Sequence, residues 1–485
     1  MINLRTIYKV IGSLLFIEVF ILFACFGMAL FYGEDDAMAF LLSVFISLFT
    51  AFILRYLGRN SNNTLSRRDA YLVVTLSWIV FSFFGTFPFT LSGYIHGFTD
   101  AYFETMSGFT TTGATIIDDV EVLPHALLFW RSLTQWIGGL GIVFFTIALL
   151  PSMVGGSVQV FAAEATGPIK SKLHPRLSTS AKWILTVYLV LTIACIGCFI
   201  LYGMNWFDAV NYSMTTTATG GFSTHNSSTE YFHSPALEYI CTIFCFLSGV
   251  NFTLLYTAVV KRRFKALFKS SEFKFYLSVV ILFSLFIMLE LMINRGYDLE
   301  PAFRSGVFQV VSFITTTGLF NDDAGQWPHV TWVILATCMF IGACSGSTSG
   351  GFKCIRVVML LKTIRNEFKQ ILHPNAVLPL KVNDTNIPYQ KRGTLLAFLT
   401  MYLILCLLAS FVLMMAHIDS TNSITIILSC IGNVGPTLGL EIGPTMSWSM
   451  LPGFVKWVCA LLMLIGRLEI FSVLVILSPA FWKDN

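Results

Sequence analysis

The sequence predicts an all-α integral membrane protein with about ten transmembrane helices. Three observations support this prediction. Of the 485 residues, 55% are hydrophobic and only 12% are charged, about half the charged fraction of an average soluble domain. The apolar residues form runs of about 20, the length of a helix that crosses the hydrocarbon core. The polar segments between these runs alternate between basic and acidic, as expected of a chain that crosses a membrane repeatedly.

Two transmembrane helices are predicted at the N-terminus, within residues 1–69. The apolar runs Ile7–Phe31 and Met38–Leu57 are joined by the acidic turn Gly33–Asp36. The first run is too long for the apolar region of a cleavable signal peptide. Eight further spans are predicted at Tyr71–Tyr94, His125–Leu150, Trp183–Tyr202, Ala236–Val260, Phe275–Ile293, Val330–Leu361, Leu395–Ala416 and Pro452–Leu477.

Charge predicts which side of the membrane each loop faces. Most Lys and Arg lie in Arg55–Arg68, Lys170–Lys182, Lys261–Lys274 and Lys362–Arg392, and the alternate segments are acidic. The positive-inside rule places the basic segments in the cytoplasm. An even number of spans then places both termini there as well. The net charge of +4 is too small to indicate nucleic-acid binding.

One motif occurs four times, each time between two spans. Each copy is an apolar stretch, too short to cross the membrane, that ends in small residues and a glycine. The spacing of roughly 100–120 residues is in the size range of a repeated structural unit. The copies therefore predict four tandem span–pore-loop–span units around one pseudo-four-fold pore, at residues 70–180, 181–270, 271–390 and 391–485. The copies are Ala101–Ala114, Phe207–Phe222, Phe303–Phe320 and Ile424–Thr437.

The chemistry of this motif favours conduction of a monovalent cation. Non-helical backbone at membrane depth is tolerated where it lines a water-filled cavity. A half-helix whose C-terminus points at that cavity directs a partial negative charge toward it, and backbone carbonyls replace the hydration shell of an ion. A single Thr-Thr-Thr-Gly would indicate only a turn after a helix. Four related copies favour a selectivity filter.

From about Tyr71 to the C-terminus the chain resembles the Trk/Ktr/HKT superfamily of K⁺ transport proteins, and its two extra N-terminal spans resemble the bacterial Trk members. The resemblance implies K⁺ uptake through a gated filter in the bacterial inner (plasma) membrane, with K⁺ as the transported ion, no covalent cofactor and no enzymatic activity. It also implies a homodimer and a cytoplasmic nucleotide-binding regulator resembling TrkA. The basic segments 261–274 and 362–392 are its predicted docking sites; otherwise they contact solvent or membrane lipid.

The resemblance also implies which residues bind the ion. Relatives that prefer Na⁺ carry Ser in place of the first filter glycine, so Gly113 favours K⁺. The fourth unit departs from the pattern because Asn and Val replace the Thr pair. The implied filter positions are Thr111, Thr112 and Gly113; Ala218, Thr219 and Gly220; Thr316, Thr317 and Gly318; and Asn433, Val434 and Gly435.

A stretch rich in Gly and Ser interrupts the second span of the third unit. Seven of the twelve residues in Ile341–Phe352 are Gly or Ser, and each Gly costs a helix interior about 1 kcal/mol relative to Ala. We therefore expect a flexible intramembrane loop that blocks the pore. The alternative is close helix packing through small residues. The predicted gate residues are Gly346, Ser347, Thr348, Ser349, Gly350 and Gly351.

Arg467 is the second feature that breaks the four-fold pattern. It lies inside the last span, about as deep as Gly342 in the third unit. An intramembrane Arg faces the bundle interior or a water-filled cavity. We therefore predict a cation that lines the pathway as part of the gate. The alternative is a structural Arg bound to a filter carbonyl or a buried carboxylate.

Two other classes of function stay open on the sequence alone. A secondary transporter would also use unwound backbone near Gly346, but it predicts two inverted halves instead of four parallel units. An intramembrane enzyme would need an acid–base or metal-spaced constellation. His96, His125, His174 and His225 form no such set.

Overall fold

The computed structural model describes residues 2–61, 65–149, 177–376, 378–383, 385–439 and 442–483. Leu150 and most of the basic segment Lys170–Lys182 lie outside the described residues. The helices are α1 Leu4–Tyr32, α2 Ala37–Leu57, α3 Arg67–Phe84, α4 Phe87–Ser92, α5 Phe98–Phe109, α6 His125–Leu149, α7 Leu177–Leu201, α8 Trp206–Ala218, α9 Pro235–Ser248, α10 Phe252–Val259, α11 Lys265–Lys269, α12 Ser271–Arg295, α13 Leu299–Ile314, α14 His329–Ile341, α15 Cys354–Leu372, α16 Tyr389–Met415, α17 Ser420–Gly432, α18 Gly453–Arg467, α19 Phe471–Leu477 and α20 Pro479–Trp482.

The N-terminal helices α1 and α2 pair with each other and cover the first of the four units. Gly33 ends α1 in the left-handed conformation, and the chain turns directly into α2. Helix α1 packs against α3 and α6, while α2 packs against α4. As a result, 72% of the α3–α4 span is buried. The spans formed by one helix each, α1, α2, α7, α12 and α16, are only 22–33% buried.

Each of the four units repeats one order of elements. A first span (α3–α4, α7, α12 or α16) leads into a short helix of 12 to 16 residues. We call these short helices α5, α8, α13 and α17 the half-helices. Asparagine and aspartate side chains cap two of them: Asn205 accepts from Asp208 N at 2.8 Å, and Asp419 accepts from Thr421 N at 2.9 Å. A non-helical segment then leads to a second span.

The units close into a ring. Helix α6 contacts α8, α9 contacts α13, α14 contacts α17, and α18 contacts α5. Each second span therefore packs against the half-helix of the next unit, and the fourth unit returns to the first. This cyclic order of neighbours arranges the half-helices around one centre.

All four second spans are broken. Helix α6 kinks at Gly141, where φ is 34°. Helices α9 and α10 meet at 105°, and α18 and α19 meet at 117°. In the third unit, residues 342–353 separate α14 from α15. The sequence predicted only this last break; the bends within the predicted spans Ala236–Val260 and Pro452–Leu477 were not predicted.

Six helices of the described residues are long and apolar enough to cross a membrane, and the two bent pairs raise the number to eight. Helix α14 is apolar but too short to count alone, and α6 runs to the edge of the described residues. The number of about ten spans therefore stays a prediction.

A short hairpin lies within the predicted basic loop Lys362–Arg392. Strands β1 (Leu380–Val382) and β2 (Thr385–Ile387) pair antiparallel, with Leu380 opposite Ile387. Lys362 of α15 donates a hydrogen bond to the Lys381 carbonyl at 2.8 Å. The sequence predicted this segment as a polar connecting loop. Its hairpin is instead hydrogen-bonded to α15.

Candidate functional site

The four half-helices end in one shared backbone conformation. In each unit the chain leaves the helix through a residue in the left-handed region, and a glycine two residues later also has a positive φ. The left-handed region costs a residue with a side chain roughly 1–2 kcal/mol. Because all four units place such a residue in this conformation, the chain must make the same turn at the end of each half-helix. The φ values are 53° for Thr111, 54° for Thr219, 57° for Thr316 and 53° for Asn433, and 85° for Gly113, 82° for Gly221, 78° for Gly318 and 100° for Gly435.

We call residues 111–113, 219–221, 316–318 and 433–435 the turn segments. The same hydrogen bond closes each of them. The backbone N–H of the middle residue donates to the carbonyl oxygen five residues earlier, at 2.8–3.0 Å. This bond satisfies an orphan carbonyl at the helix end. The pairs are Thr112 with Ser107, Gly220 with Thr215, Thr317 with Ser312, and Val434 with Ser429.

This equivalence moves the second segment by one residue relative to the sequence prediction. Ala218, predicted as the first position of that segment, is the last residue of α8. Thr219 is the first residue of the turn segment and Gly220 is the middle one. Gly221 is the last residue, the position that the sequence predicted for Gly220. The run from Thr215 to Gly221 contains repeated Thr and paired Gly, so composition does not fix the register, and the backbone conformation does.

The turn segments pack against each other around one centre. Each glycine of positive φ lies against the middle residue of the next segment, where an added Cβ would overlap the carbonyl oxygen. The contacts form a closed cycle: Gly113 meets Gly220, Gly221 meets Thr317, Gly318 meets Val434, and Gly435 meets Thr112. We call the carbonyl groups of Thr112, Gly220, Thr317 and Val434 the carbonyl ring.

A cavity of about 100 Å³, open to solvent, is lined by the glycines of all four turn segments. We call it the mouth cavity. Asp118 lines its wall and accepts hydrogen bonds from the hydroxyls of Ser447 and Ser449. These bonds hold the pKa of the Asp118 carboxyl below its usual value. A carboxylate therefore stays ionised beside the entrance and favours the approach of cations.

The arrangement suits a partly dehydrated cation. The carbonyl ring offers oxygen ligands from four directions, and the C-termini of four half-helices add partial negative charge. In the part of the chain that the structure describes, no group of three or more His, Cys, Asp or Glu could hold a metal ion.

Side chains of the turn segments bind mainly to the protein around them. The Thr110 and Thr112 hydroxyls lie 2.8 Å apart, and the corresponding pair Thr315 and Thr317 has the same separation. In the fourth unit, Asn433 Nδ2 donates to Thr112 Oγ1 at 3.0 Å. The residue that departs from the sequence pattern thus links the fourth segment to the first.

The residues 342–353, which we call the interhelical loop, contact the half-helix ends and do not line the mouth cavity. Thr348 Oγ1 donates to the Thr217 carbonyl at 3.1 Å, at the end of α8. Gly350 N donates to Thr316 Oγ1 at 2.8 Å in the third turn segment. An added Cβ at Gly350 would overlap the carbonyl oxygen of Gly432 in the fourth unit. The loop therefore touches three of the four units.

The other side of the loop is bound to the break in the second unit. Cys344 N donates to the Gly249 carbonyl at 3.0 Å, and Phe252 N donates to the Gly346 carbonyl at 3.0 Å. The Asn251 amide donates to the Ser345 carbonyl. Within the loop, Ser347 Oγ donates to the Cys344 carbonyl at 2.6 Å. These hydrogen bonds join the loop to the second unit, and the flexibility predicted from the sequence stays a prediction.

Gly351 and Ser349 complete the predicted gate residues. Gly351 has a φ of 75° and packs against Gly342 where the loop begins. Ser349 Oγ accepts from Ala343 N at 3.2 Å, and the buried Lys353 donates to the Ser349 carbonyl. All six predicted gate residues therefore lie together in one compact loop.

Arg467 lies at the end of α18 and binds backbone carbonyls of two other elements. Its Nη1 donates to Thr348 of the loop at 2.8 Å, and its Nη2 donates to Gly138 of α6 at 2.6 Å. Glu469, two residues later, pairs instead with Arg356 of α15 at 2.6 Å. Arg467 thus connects the fourth unit with the third and the first, directly beside the loop.

A buried ion pair at the mouth was not predicted from the sequence. Arg131, 2% exposed, donates through Nε to Glu104 Oε1 at 2.9 Å and through Nη1 to the Ser223 carbonyl at 3.1 Å. Its guanidinium also lies 4.2 Å from the centre of the Phe222 ring. A charged residue within the apolar run His125–Leu150 was the available signal, because intramembrane charges rarely lack a function.

The family model TrkH, described as a cation transport protein, matches residues 36–484. The chain belongs to the TrkH family. Two relatives named Trk system potassium uptake protein TrkH are 35% identical (Halomonas elongata) and 33% identical (Escherichia coli K12), each over 99% of this chain and 100% of the relative. The crystal structure of the potassium transporter TrkH from Vibrio parahaemolyticus matches with a TM-score of 0.89 and 34% identity, over 99% of both chains.

The TrkH family places the site in context. This TrkH-family chain is a multi-pass membrane protein with the all-helical fold of its relatives, which are transport proteins. The resemblance drawn from the four glycine-terminated segments is therefore confirmed.

Proposed function

We propose that this TrkH-family chain takes up K⁺ across the bacterial inner membrane through a gated pore, with the carbonyl ring as its selectivity filter. The observation that carries the proposal is the closed cycle of contacts among the four turn segments. That cycle surrounds a centre reached from a solvent-filled mouth cavity. K⁺ is the ion of choice because the relatives at 33–35% identity are named potassium uptake proteins.

The filter consists of the four turn segments, with K⁺ as the transported ion and no bound cofactor. Its members are Thr111, Thr112 and Gly113; Thr219, Gly220 and Gly221; Thr316, Thr317 and Gly318; and Asn433, Val434 and Gly435. The second set follows the equivalence of backbone hydrogen bonds, so Gly221 replaces Ala218. The carbonyl oxygens bind the ion, and the glycines permit the close approach of neighbouring segments.

The gate consists of the interhelical loop residues 346–351 together with Arg467. Support comes from the hydrogen bonds that join the loop to the ends of two half-helices and to Arg467. A segment in this place closes the path below the ring. Opening requires the loop to leave Thr217 and Thr316.

The basic segments face the cytoplasm, as do both termini. The chain works as a homodimer, and a cytoplasmic nucleotide-binding regulator binds at Lys261–Lys274 and Lys362–Arg392. The first segment contains α11 and continues from α10, and the second contains the hairpin β1–β2 beside α15. The first segment therefore follows α10, whose first residue Phe252 donates to the Gly346 carbonyl of the interhelical loop, and the second begins within α15, which follows that loop.

The test is a current recording from purified protein in a lipid bilayer with K⁺ on one side and Na⁺ on the other. We expect a reversal potential that favours K⁺, and a shift toward Na⁺ for Gly113→Ser, because its side chain displaces the Gly220 carbonyl. Gly296→Ser is the matched control, since Gly296 also has positive φ (68°) but nothing lies within 4 Å of its added Cβ. A reversal potential unaltered by Gly113→Ser would refute the filter.

A proton-coupled secondary transporter is the second candidate, because broken helices at membrane depth are typical of that class. The four broken second spans are the observation in its favour. The same recording separates the two classes. A reversal potential that stays the same when a pH difference is imposed favours the pore, and one that shifts with the pH difference favours coupled transport.

A further inference from the structure

A glutamine lies directly behind the second turn segment. Gln135 of α6 is fully buried. Its Nε2 donates to the Gly220 carbonyl at 2.7 Å, and its Oε1 accepts from Phe222 N at 3.0 Å. The amide therefore bridges the backbone on both sides of Gly221, the glycine of the ring contact.

Gly220 and Gly221 each lack room for a side chain, but a different neighbour limits the space at each position. Gly221 has positive φ and packs against Thr317. Gly220 does not have positive φ, but its added Cβ would overlap the side-chain amide of Gln135. The missing side chain at Gly220 thus makes room for Gln135, which explains why this unit alone has Gly where the others have Thr112, Thr317 and Val434.

This contact makes the carbonyl ring unequal. The Gly220 oxygen receives a hydrogen bond from Gln135 while it faces Gly113. Within the described residues, no side chain donates a hydrogen bond to the other three ring oxygens. A carbonyl that accepts a hydrogen bond from a buried amide is restrained in position. The positive end of the N–H dipole also offsets part of the attraction between the carbonyl oxygen and a cation.

Helix α6 supports the second segment along one face. Arg131 and Gln135 are four residues apart and therefore lie on the same side of the helix. Arg131 binds the Ser223 carbonyl, and Gln135 binds the two residues around Gly221. The second span of the first unit is thus a rigid support for residues 220–223.

We infer that Gln135 is a selectivity-determining residue that acts by restraining the Gly220 carbonyl. The inference rests on the proposed function of the ring as a K⁺ filter. To bind the smaller Na⁺ as well as K⁺, the ring oxygens must move inward. A carbonyl bound to a buried side chain resists this movement, so the ring keeps the wider geometry that suits K⁺.

The test compares Gln135→Met with the parent protein. Methionine has the length and shape of glutamine but neither hydrogen bond. We expect the K⁺ over Na⁺ permeability ratio to fall by about two- to tenfold, the effect of losing the one hydrogen bond that is made to a ring carbonyl. Gln309→Met is the matched control, because Gln309 is equally buried and donates to the Asp322 carbonyl at 3.0 Å, outside the ring. An unchanged ratio in a folded Gln135→Met protein overturns the inference.

Gln135→Glu decides the matter if the Met variant does not fold. A protonated carboxyl donates and accepts as the amide does, whereas a carboxylate no longer donates to the Gly220 oxygen. We expect a ratio near that of the parent at acid pH and a lower ratio as pH rises. A ratio that does not change while the introduced carboxyl ionises, as followed by its infrared C=O band, overturns the inference. Gly113→Ser is measured in parallel: if it shifts the ratio and the Gln135 variants do not, the filter stands and only the role of Gln135 fails.

Discussion

At the scale of single residues, the candidate site depends on where side chains are missing. Gly113, Gly221, Gly318 and Gly435 each combine a positive φ with a contact that leaves no room for a Cβ. The left-handed residues before them are Thr or Asn. Asparagine tolerates this conformation well, and the same Asn433 side chain binds Thr112 in the first unit. The same few residues thus allow both the left-handed backbone conformation and the close contacts between neighbouring turn segments.

The register of the second turn segment gives a first prediction. Gly221→Ser should shift the K⁺ over Na⁺ ratio in the same direction as Gly113→Ser, because both side chains displace a ring carbonyl. Ala218→Ser should leave the ratio unchanged, because Ala218 ends α8 one place before the segment. Reversal potentials of the three variants test this. A larger effect at Ala218 than at Gly221 would restore the register that the sequence predicted.

A second prediction concerns Asp36 in the turn between α1 and α2. Burial, reinforced by the nearby Glu34 and Asp35, raises the pKa of this carboxyl to about 6. A pKa that is higher in the folded than in the unfolded protein means that protonation stabilises the fold. This stabilisation is complete below about pH 4 and is lost as pH rises through about 6. Asp36→Asn should therefore raise the melting temperature at pH 7 but hardly at pH 4. An Asp36→Asn variant whose melting temperature changes by the same amount at pH 7 and at pH 4 would contradict this prediction.

At the scale of elements, the sequence predicted the repeated order of spans and half-helices but only one of four breaks. The third unit signals its break through glycine density. In the second unit the local signals are Gly249 and Asn251, a helix C-cap and a helix N-cap that lie within a long apolar run. The fourth unit has no breaker at Leu468–Ile470. Its bend depends on a distant partner, because Glu469 pairs with Arg356. Such a contact is not visible in local sequence.

Asn251 gives a prediction about these elements. Its Oδ1 caps α10 by accepting from Thr253 N at 2.9 Å, and its amide donates to Ser345 of the interhelical loop. Asn251→Asp keeps the cap but removes the donor. We expect the variant to fold normally and to admit Rb⁺, a K⁺ congener, into proteoliposomes several-fold faster, because the loop has lost one of its bonds to the second unit.

The control for Asn251 is another N-cap. Asn3 caps α1 by accepting from Thr6 N at 3.2 Å, far along the chain from the loop. Asn3→Asp should leave the Rb⁺ flux unchanged. Equal flux for Asn251→Asp and the parent, with equal thermal stability, would mean that Asn251 has no part in holding the loop closed.

At the scale of the whole molecule, four similar units are made unequal at their contacts. Gln135 reaches from the first unit to the second, Asn433 from the fourth to the first, and the interhelical loop from the third to the second. A pore of identical subunits must repeat every contact four times. A single chain with four units is free of this restriction, so different interfaces can carry the proposed filter and the proposed gate.

Arg467 tests this view because it joins three units at once. It donates to the Thr348 carbonyl in the loop and to the Gly138 carbonyl in α6. As an arginine it stays protonated, so it is also a fixed positive charge beside the pathway. At an effective dielectric of about 20, a unit charge about 4 Å from the ion raises the barrier by up to about 4 kcal/mol. Arg467→Ala should therefore increase K⁺ flux several-fold, since it removes the charge and frees the loop.

Arg467→Lys separates the charge from the hydrogen bonds. Lysine keeps the positive charge but lacks the planar fork that reaches two carbonyls, so we expect only a small rise in flux. If Arg467 is purely structural, the order is reversed: the Ala variant loses stability and flux because buried carbonyls are left without donors. Flux and melting temperature, measured on the same preparations, distinguish these outcomes. A stable Ala variant with unaltered flux would contradict both roles.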